Sequence, residues 1–382
     1  MTLLRFLTVR FSGTFHSFPS LFSATITPVR PRTIFRAATF LILLAACWPF
    51  SHTGLYAQTP AVRSSSLATS SKPPDVSAEW KQLVGIYETS KKPSLIIILE
   101  RDGKLLWLED KKEFAISPYG TTENRFLLPD RRDFRVEKDT SGAVVRISLP
   151  DDYLTRTDAG SDPKRFFHVT PSKPLEELRS EALQASPPKE AGPFRTVDLA
   201  ELITLDPAIH LDIRYAQSNN FLSAPIYSEA RAFMQRPAAE ALGRALHQLK
   251  ALGYGLLILD AYRPWYVTKI FWDATPPADH IFVADPQKGS KHNRGCAVDL
   301  TLYVLATGRP IEMTGLYDEM SPRSFPTFIG GTSLERWHRD LLRRAMESEG
   351  FTVNEEEWWH FDYKDWRHYP ILNIPFEKLG KD

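Results

Sequence analysis

Apolar positions change their spacing several times along this chain, and each change marks a different kind of segment. Residues 37–50 are a dense apolar run, preceded by Arg5, Arg10, Arg30, Arg32 and Arg36, and no acidic residue occurs before Asp75. Residues 60–75 are rich in Ser, Thr, Ala and Pro and hold little to bury, the composition of a flexible tether. Short strand-like runs then follow at residues 94–100, 105–109, 134–138 and 143–149. The pair Asp102-Gly103 between the first two is a strong hairpin signal and Ser141-Gly142 separates the last two, so an antiparallel meander or small barrel is expected. Residues 171–193 contain Pro and Glu and read as a linker with a helical turn or two around residues 175–183.

Beyond the linker the period lengthens. Residues 237–252 carry apolar side chains at helical spacing and stop at Gly253, and residues 255–261 read as a buried strand that delivers Arg263 at its end. Residues 296–303 predict a further strand, and residues 333–348 a second amphipathic helix with Thr332 or Ser333 as its N-cap and Gly350 as its stop. The expected class is α+β: a C-terminal domain with a central antiparallel sheet flanked by helices, preceded by a small all-β domain of meander or barrel type. The expected division is a leader over 1–57, a tether over 58–77, a β-rich domain over 78–170, a linker over 171–195 and the C-terminal domain over 196–382.

Length and charge narrow the possibilities. A chain of 382 residues exceeds one typical domain, and its formal net charge of +1 with no dense basic stripe argues against nucleic acid as a partner. A small or peptidic substrate is expected. The run over 37–50 is too short for a comfortable membrane span and reads as an export signal cleaved after Ala57. Leu44-Ala-Ala-Cys47 also resembles a bacterial lipobox, which would anchor the chain through a lipid on Cys47, and an organelle transit peptide is a third reading. Export to the periplasm or cell envelope, with no later membrane span, is the expected location. Cys47 and Cys296 are the only cysteines, so there is no disulfide framework, and Cys296 is read as a packing residue on a buried strand.

Chemistry concentrates in two stretches, Ser290-Lys-His292-Asn-Arg-Gly295-Cys-Ala-Val-Asp299 and Glu357-Trp-Trp-His360. His292, Asp299 and His360 would fill three positions of a tetrahedral Zn²⁺ and leave the fourth for water, with Glu357 as a spare carboxylate, the pattern of a hydrolytic site. His292 and Asp299 are an odd number of residues apart and cannot share a face of one straight strand. Gly295 between them allows a turn, placing His292 on a loop and Asp299 on the following strand. Glu357 and His360 are also an odd step apart, which requires a bend or bulge at the start of their strand. His210, His247, His280, His338 and His368 are read as solvated or structural.

Ser290-x-His292-x-x-Gly295-x-Ala297-x-Asp299, Glu357-x-Trp359-His360 and Asp260-Ala-Tyr-Arg263-Pro264 resemble the motifs of the D-alanyl-D-alanine dipeptidases, zinc peptidases related to D,D-carboxypeptidases. The resemblance covers roughly residues 196–379 and leaves out the first half. It implies one zinc per chain, with Glu357 taking the proton of the attacking water and returning one to the leaving amine, and Arg263 donating to the oxyanion. It further implies that Tyr215 and Asp318 hold the free amine of a small D,D-dipeptide, with Ser290 on its carboxylate. Around Asp318 the sequence departs from the family's usual spacing. Two rivals stand beside this reading: a peptidoglycan D,D- or L,D-carboxypeptidase docked by the N-terminal domain, and a non-catalytic zinc-containing module that binds the cell wall.

Overall fold

The computed structural model describes residues 67, 70–91, 94–140, 142–158, 168–319 and 321–380. The leader expected over 1–57, with Ala57 and Cys47, lies outside the described residues, as does Ser141 of the second expected hairpin. After the short helix α1 (Ala78–Leu83) come strands β1 (Gly85–Thr89), β2 (Leu95–Arg101), β3 (Lys104–Glu109), β4 (Lys112–Ala115), β5 (Ser117–Pro118), β6 (Arg125–Leu127), β7 (Asp133–Lys138), β8 (Val144–Ser148) and β9 (Tyr153–Arg156). They form one sheet in the order β4-β3-β2-β1-β9-β8-β7-β6-β5, every pair antiparallel. Its edge strands β4 and β5 are separated only by Ile116, whose N–H donates to the Leu105 carbonyl at 2.8 Å, so the meander nearly closes on itself. Its own core includes Tyr87, Ile98, Trp107, Phe134 and Ile147.

Asp102 (φ 51°) and Gly103 (φ 72°) both take the left-handed conformation between β2 and β3, the geometry that a two-residue hairpin turn demands and that Asp-Gly supplies. The hairpin forms where the pair predicts it.

The stretch expected as a linker does more than connect. Helix α2 (Leu175–Gln184) buries Leu178 and Ala182 in the second core, and Glu190 clamps the buried Arg294 through a 2.6 Å ion pair. Next come β10 (Leu199–Glu201), β11 (Ile209–Leu211), β12 (Phe233–Gln235), α3 (Arg236–Lys250), β13 (Tyr254–Asp260), α4 (Trp265–Ala274), β14 (Ala297–Val304), α5 (Ser333–Ser348), β15 (Phe351–Asn354) and β16 (Glu357–Tyr363). β10 and β12 pair with each other, while the five-stranded sheet runs β11-β13-β14-β16-β15. This sheet is mixed rather than antiparallel throughout: β11 runs parallel to β13. Antiparallel neighbours need only a hairpin, whereas the long excursion through β12 and α3 returns the chain in the same direction. The class remains α+β.

Both predicted helices form. α5 starts in a reciprocal capping box of Thr332 and Glu335, and Pro237 sits in the first turn of α3, where its missing N–H costs nothing. α3 and α5 bury Leu242, Leu246, Leu341 and Leu342 in the core shared with β13 and β14. Among the described residues no helix is long and apolar enough to cross a membrane.

Candidate active site

Three elements converge on the residues with metal-ligand chemistry. His292 opens a single 3₁₀ turn, His292–Arg294, which Gly295 ends in the left-handed region (φ 66°). A Cβ on residue 295 would also lie 2.6 Å from Leu199 Cδ2, so the turn that sends the chain from His292 into β14 requires glycine. Asp299 lies in register between Asp260 of β13 and His360 of β16, which puts the three at one level of the sheet. The odd step from Glu357 to His360 is absorbed by a break in pairing: Val353 faces Phe361, but Asn354 already faces Glu357, so β16 carries extra residues there.

His292 Nε2 stands 3.4 Å from Asp299 Oδ1 and 3.2 Å from His360 Nδ1, and His360 Nδ1 stands 3.0 Å from Asp299 Oδ1. Ligands about 2.0–2.1 Å from a tetrahedral zinc are about 3.3 Å apart, so the triangle has the size of one face of such a site. The remaining polar atom of each residue is occupied. His292 Nδ1–H donates to the Ala261 carbonyl at 2.7 Å, His360 Nε2–H donates to Asp362 Oδ1 at 3.0 Å, and the Tyr317 hydroxyl donates to Asp299 Oδ2 at 3.0 Å. A carbonyl only accepts, so the proton of His292 sits on Nδ1 and the Nε2 lone pair is free. Asp299 Oδ1 is a buried oxygen with no hydrogen-bond partner among the described residues. Three free donor atoms, each oriented from behind, fit a zinc ion in number, type and spacing.

The charges are tightly coupled. Burial alone would raise the Asp299 carboxyl, but the imidazoles of His292 and His360 outweigh it and hold the group far below the ordinary carboxylate range. Burial would lower His360, yet Asp299 and Asp362 raise it to about 10. Glu357 is raised, first by burial and then by the nearby Asp299 carboxylate, with His360 acting against both. Asp318 is pushed well above the carboxylate range by burial, reinforced by Asp299 and Glu357.

The other predicted residues join the same network. Glu357 is half-buried, accepts from Asn354 Nδ2 at 2.9 Å and has Oε2 3.6 Å from His360 Nδ1. Buried Arg263 donates through Nε and Nη2 to Asp260 Oδ2 at 3.0 and 2.7 Å, while Asp260 Oδ1 accepts from the Tyr227 hydroxyl at 2.6 Å. The Arg263 backbone N–H donates to the His292 carbonyl at 3.1 Å, which joins the arginine to the metal turn. Tyr215 donates to Asp318 Oδ2 at 3.1 Å and has its hydroxyl 3.3 Å from that of Tyr317. Ser290 Oγ accepts from the His292 N–H at 3.2 Å and so braces the turn. Cys296 is fully buried, with its thiol pushed up to about 12 by burial, and it is not part of the triangle.

Asp362, Tyr317 and Asn354 join the site beyond the residues expected from the sequence. Asp362 lies two residues beyond His360, the spacing that puts two strand residues on one face, and this signal could have found it. Tyr317 is eighteen positions from Asp299, and only the fold brings the two together.

Comparison with known proteins decides the family. A family described as D-ala-D-ala dipeptidase matches residues 195–377. The D-alanyl-D-alanine dipeptidase of Escherichia coli is 33% identical over 181 residues, 47% of this chain and 92% of the relative. The chain belongs to the D-alanyl-D-alanine dipeptidase family. Dipeptidases of that name from Enterococcus faecalis and Streptomyces coelicolor are similar at 36% and 34% identity, each over 45% of this chain and 95% of the relative. The family is one of metallopeptidases, and its match begins after the β1–β9 sheet, which lies outside it.

Proposed function

We propose that this protein is an exported zinc-dependent D,D-dipeptidase that hydrolyses D-alanyl-D-alanine or a similar small D,D-dipeptide during cell-wall peptide turnover. The observation that carries the reading is the triangle of His292 Nε2, Asp299 Oδ1 and His360 Nδ1, with the second polar atom of each residue already engaged. The relatives, D-alanyl-D-alanine dipeptidases by name, supply the substrate class.

His292, Asp299 and His360 would hold zinc, which when bound supplies the Lewis acidity that polarises a peptide carbonyl and makes water nucleophilic near neutral pH. Glu357 takes a proton from the attacking water and passes one to the leaving amine. Its raised affinity for protons suits a base that must also act as an acid. Arg263 spends Nε and one N–H of Nη2 on Asp260, so Nη1 and the second N–H of Nη2 are left for the developing oxyanion, and the ion pair holds the group in place. Asp318, with Tyr215 donating to it, is the anchor for the substrate ammonium, whose positive charge would offset the cost of a buried carboxylate. Ser290, already accepting from the His292 N–H, keeps its own proton for the substrate carboxylate.

The decisive experiment measures zinc content together with hydrolysis of D-alanyl-D-alanine and L-alanyl-L-alanine, before and after chelation. Turnover of the D,D isomer alone, abolished by chelation and restored by zinc, is expected. Activity only on longer stem peptides would make the protein a carboxypeptidase instead, and undiminished hydrolysis by Glu357→Ala would remove the general base from the mechanism.

A further inference from the structure

β14 and α5 are joined by residues 305–332, a connection with no strand or α-helix among its described residues, and it carries Tyr317 and Asp318 into the active site. A connection of that length without such elements is uncommon in a compact domain, and its shape depends on the contacts that fix it. Asp318 has φ 57°, a left-handed backbone that a residue with a side chain keeps only where its surroundings hold it.

Those surroundings begin with Arg323, in the 3₁₀ turn Pro322–Ser324. Its Nε donates to the Thr314 carbonyl at 2.8 Å and its Nη1 lies 3.5 Å from Glu319 Oε1, so one guanidinium spans the residues on both sides of Tyr317 and Asp318. Glu319 in turn accepts from the Leu316 N–H at 2.8 Å, and the Ser324 hydroxyl donates to the Glu319 carbonyl. The same Nη1 faces Asp158 Oδ1 at 3.8 Å. Asp158 follows β9, its side chain is fully buried, and it accepts from the Ile86 N–H of β1 and from Arg156 Nε at 2.7 Å, so it is rooted in the β1–β9 sheet. Two further contacts from that half grip the connection on either side: Lys81 of α1 pairs with Glu312 at 2.8 Å, and the Glu100 N–H donates to the Gly331 carbonyl at 3.1 Å.

We infer that the β1–β9 sheet, which lies outside the family match, braces the anchor for the dipeptide's amine, and that Asp158 is a positioning residue that works through Arg323 on Asp318. The inference rests on the reading of Asp318 as the anchor for the substrate ammonium. A contact between an ammonium and a carboxylate depends on where the carboxylate sits, and a misplacement of about 1 Å caused from a distance can cost about 100-fold. The sheet thereby takes part in the preference for a free amine without touching the substrate.

The test is steady-state kinetics of the full-length zinc enzyme on D-alanyl-D-alanine, with Asp158→Asn, Arg323→Gln and the double variant, beside Asp318→Ala. In each of the first two, KM should rise about tenfold while kcat stays within about twofold and zinc content matches the parent, because the interaction lost is one that substrate and transition state share. The double variant should be no worse than the poorer single one, since both act through one ion pair. A merely structural role would lower the folded fraction, and with it the apparent kcat, but would leave KM alone. Arg323→Lys keeps the charge between Asp158 and Glu319 and should fall between the parent and Arg323→Gln, and it carries the test if the glutamine variant does not fold. Parent-like KM in the Asp158 and Arg323 variants, KM effects that add in the double variant, or lost turnover at unchanged KM would overturn the proposal. Asp318→Ala separates the two readings: a raised KM there with parent-like KM in the others defeats the brace alone, whereas a parent-like KM in Asp318→Ala defeats the anchor itself and the brace with it.

Discussion

His360 and Asp362 stand two residues apart on β16, and the Nε2–H of His360 donates to Asp362 Oδ1 at 3.0 Å. That bond settles which imidazole nitrogen faces Asp299 and His292, and Lys291 holds Asp362 in turn at 3.0 Å. A ligand freed from such a partner can rotate or change tautomer, which typically costs about 10- to 100-fold in metal affinity. Asp362→Ala should therefore bind zinc more weakly by that factor in a chelator competition, yet recover much of its activity in excess zinc. Unchanged zinc affinity would show that the strand alone positions His360.

A second expectation concerns pH and lies far from the metal. His338 is buried on α5, with Nε2 3.0 Å from the Tyr254 hydroxyl, and burial, helped by Lys72, pushes its imidazole down from 6.5 to about 4. As pH falls through about 6.5 the unfolded chain takes up a proton that the folded protein refuses until about pH 4. Stability is therefore full above that window and is lost within it, by up to about 3 kcal/mol at 1.36 kcal/mol per unit. Denaturant midpoints of the parent should drop more steeply between pH 7 and 4 than those of His338→Gln. Parallel curves would contradict the assignment.

Glu100 ties the two halves together. It is buried, accepts from the Ser333 N–H at the start of α5 at 2.7 Å, and accepts from the Gly103 N–H in its own hairpin at 2.8 Å. Its backbone carbonyl also accepts from Arg336 Nη2 at 2.7 Å. Glu100→Ala removes the acceptor of two backbone donors, one on exposed Gly103 and one on half-buried Ser333, and should lower stability by about 1 kcal/mol, read as a lower midpoint in chemical denaturation, with zinc content unchanged. A variant as stable as the parent would show that the halves are held by other contacts.

Much of the site was legible because its chemistry is local. The turn at Gly295, the helix over 333–348 with its Thr332 cap, and the Asp102-Gly103 hairpin all follow from φ preferences and capping that a few neighbouring residues dictate. The bulge between His360 and Glu357 was implied by an odd spacing that a straight strand could not satisfy. The parallel pairing of β11 with β13 was not legible, because pairing direction depends on where the chain returns and not on the three residues of β11. Glu190 reads as one charge in a linker until the fold places it against Arg294, 104 positions away.

By itself, then, the sequence determined which residues offer metal-ligand and acid-base chemistry and what local conformation each requires: two imidazoles, a carboxylate after a glycine turn, and a second carboxylate before a bulge. Tertiary structure alone decided which atom of each is free, since that is set by Ala261, Tyr317 and Asp362 behind them, and it alone set Asp158 against Arg323 across the two halves. The reason is one of range. Turn and strand preferences act over a few residues, whereas the direction of a lone pair is set by whichever group packing brings within 3 Å, wherever in the chain that group lies.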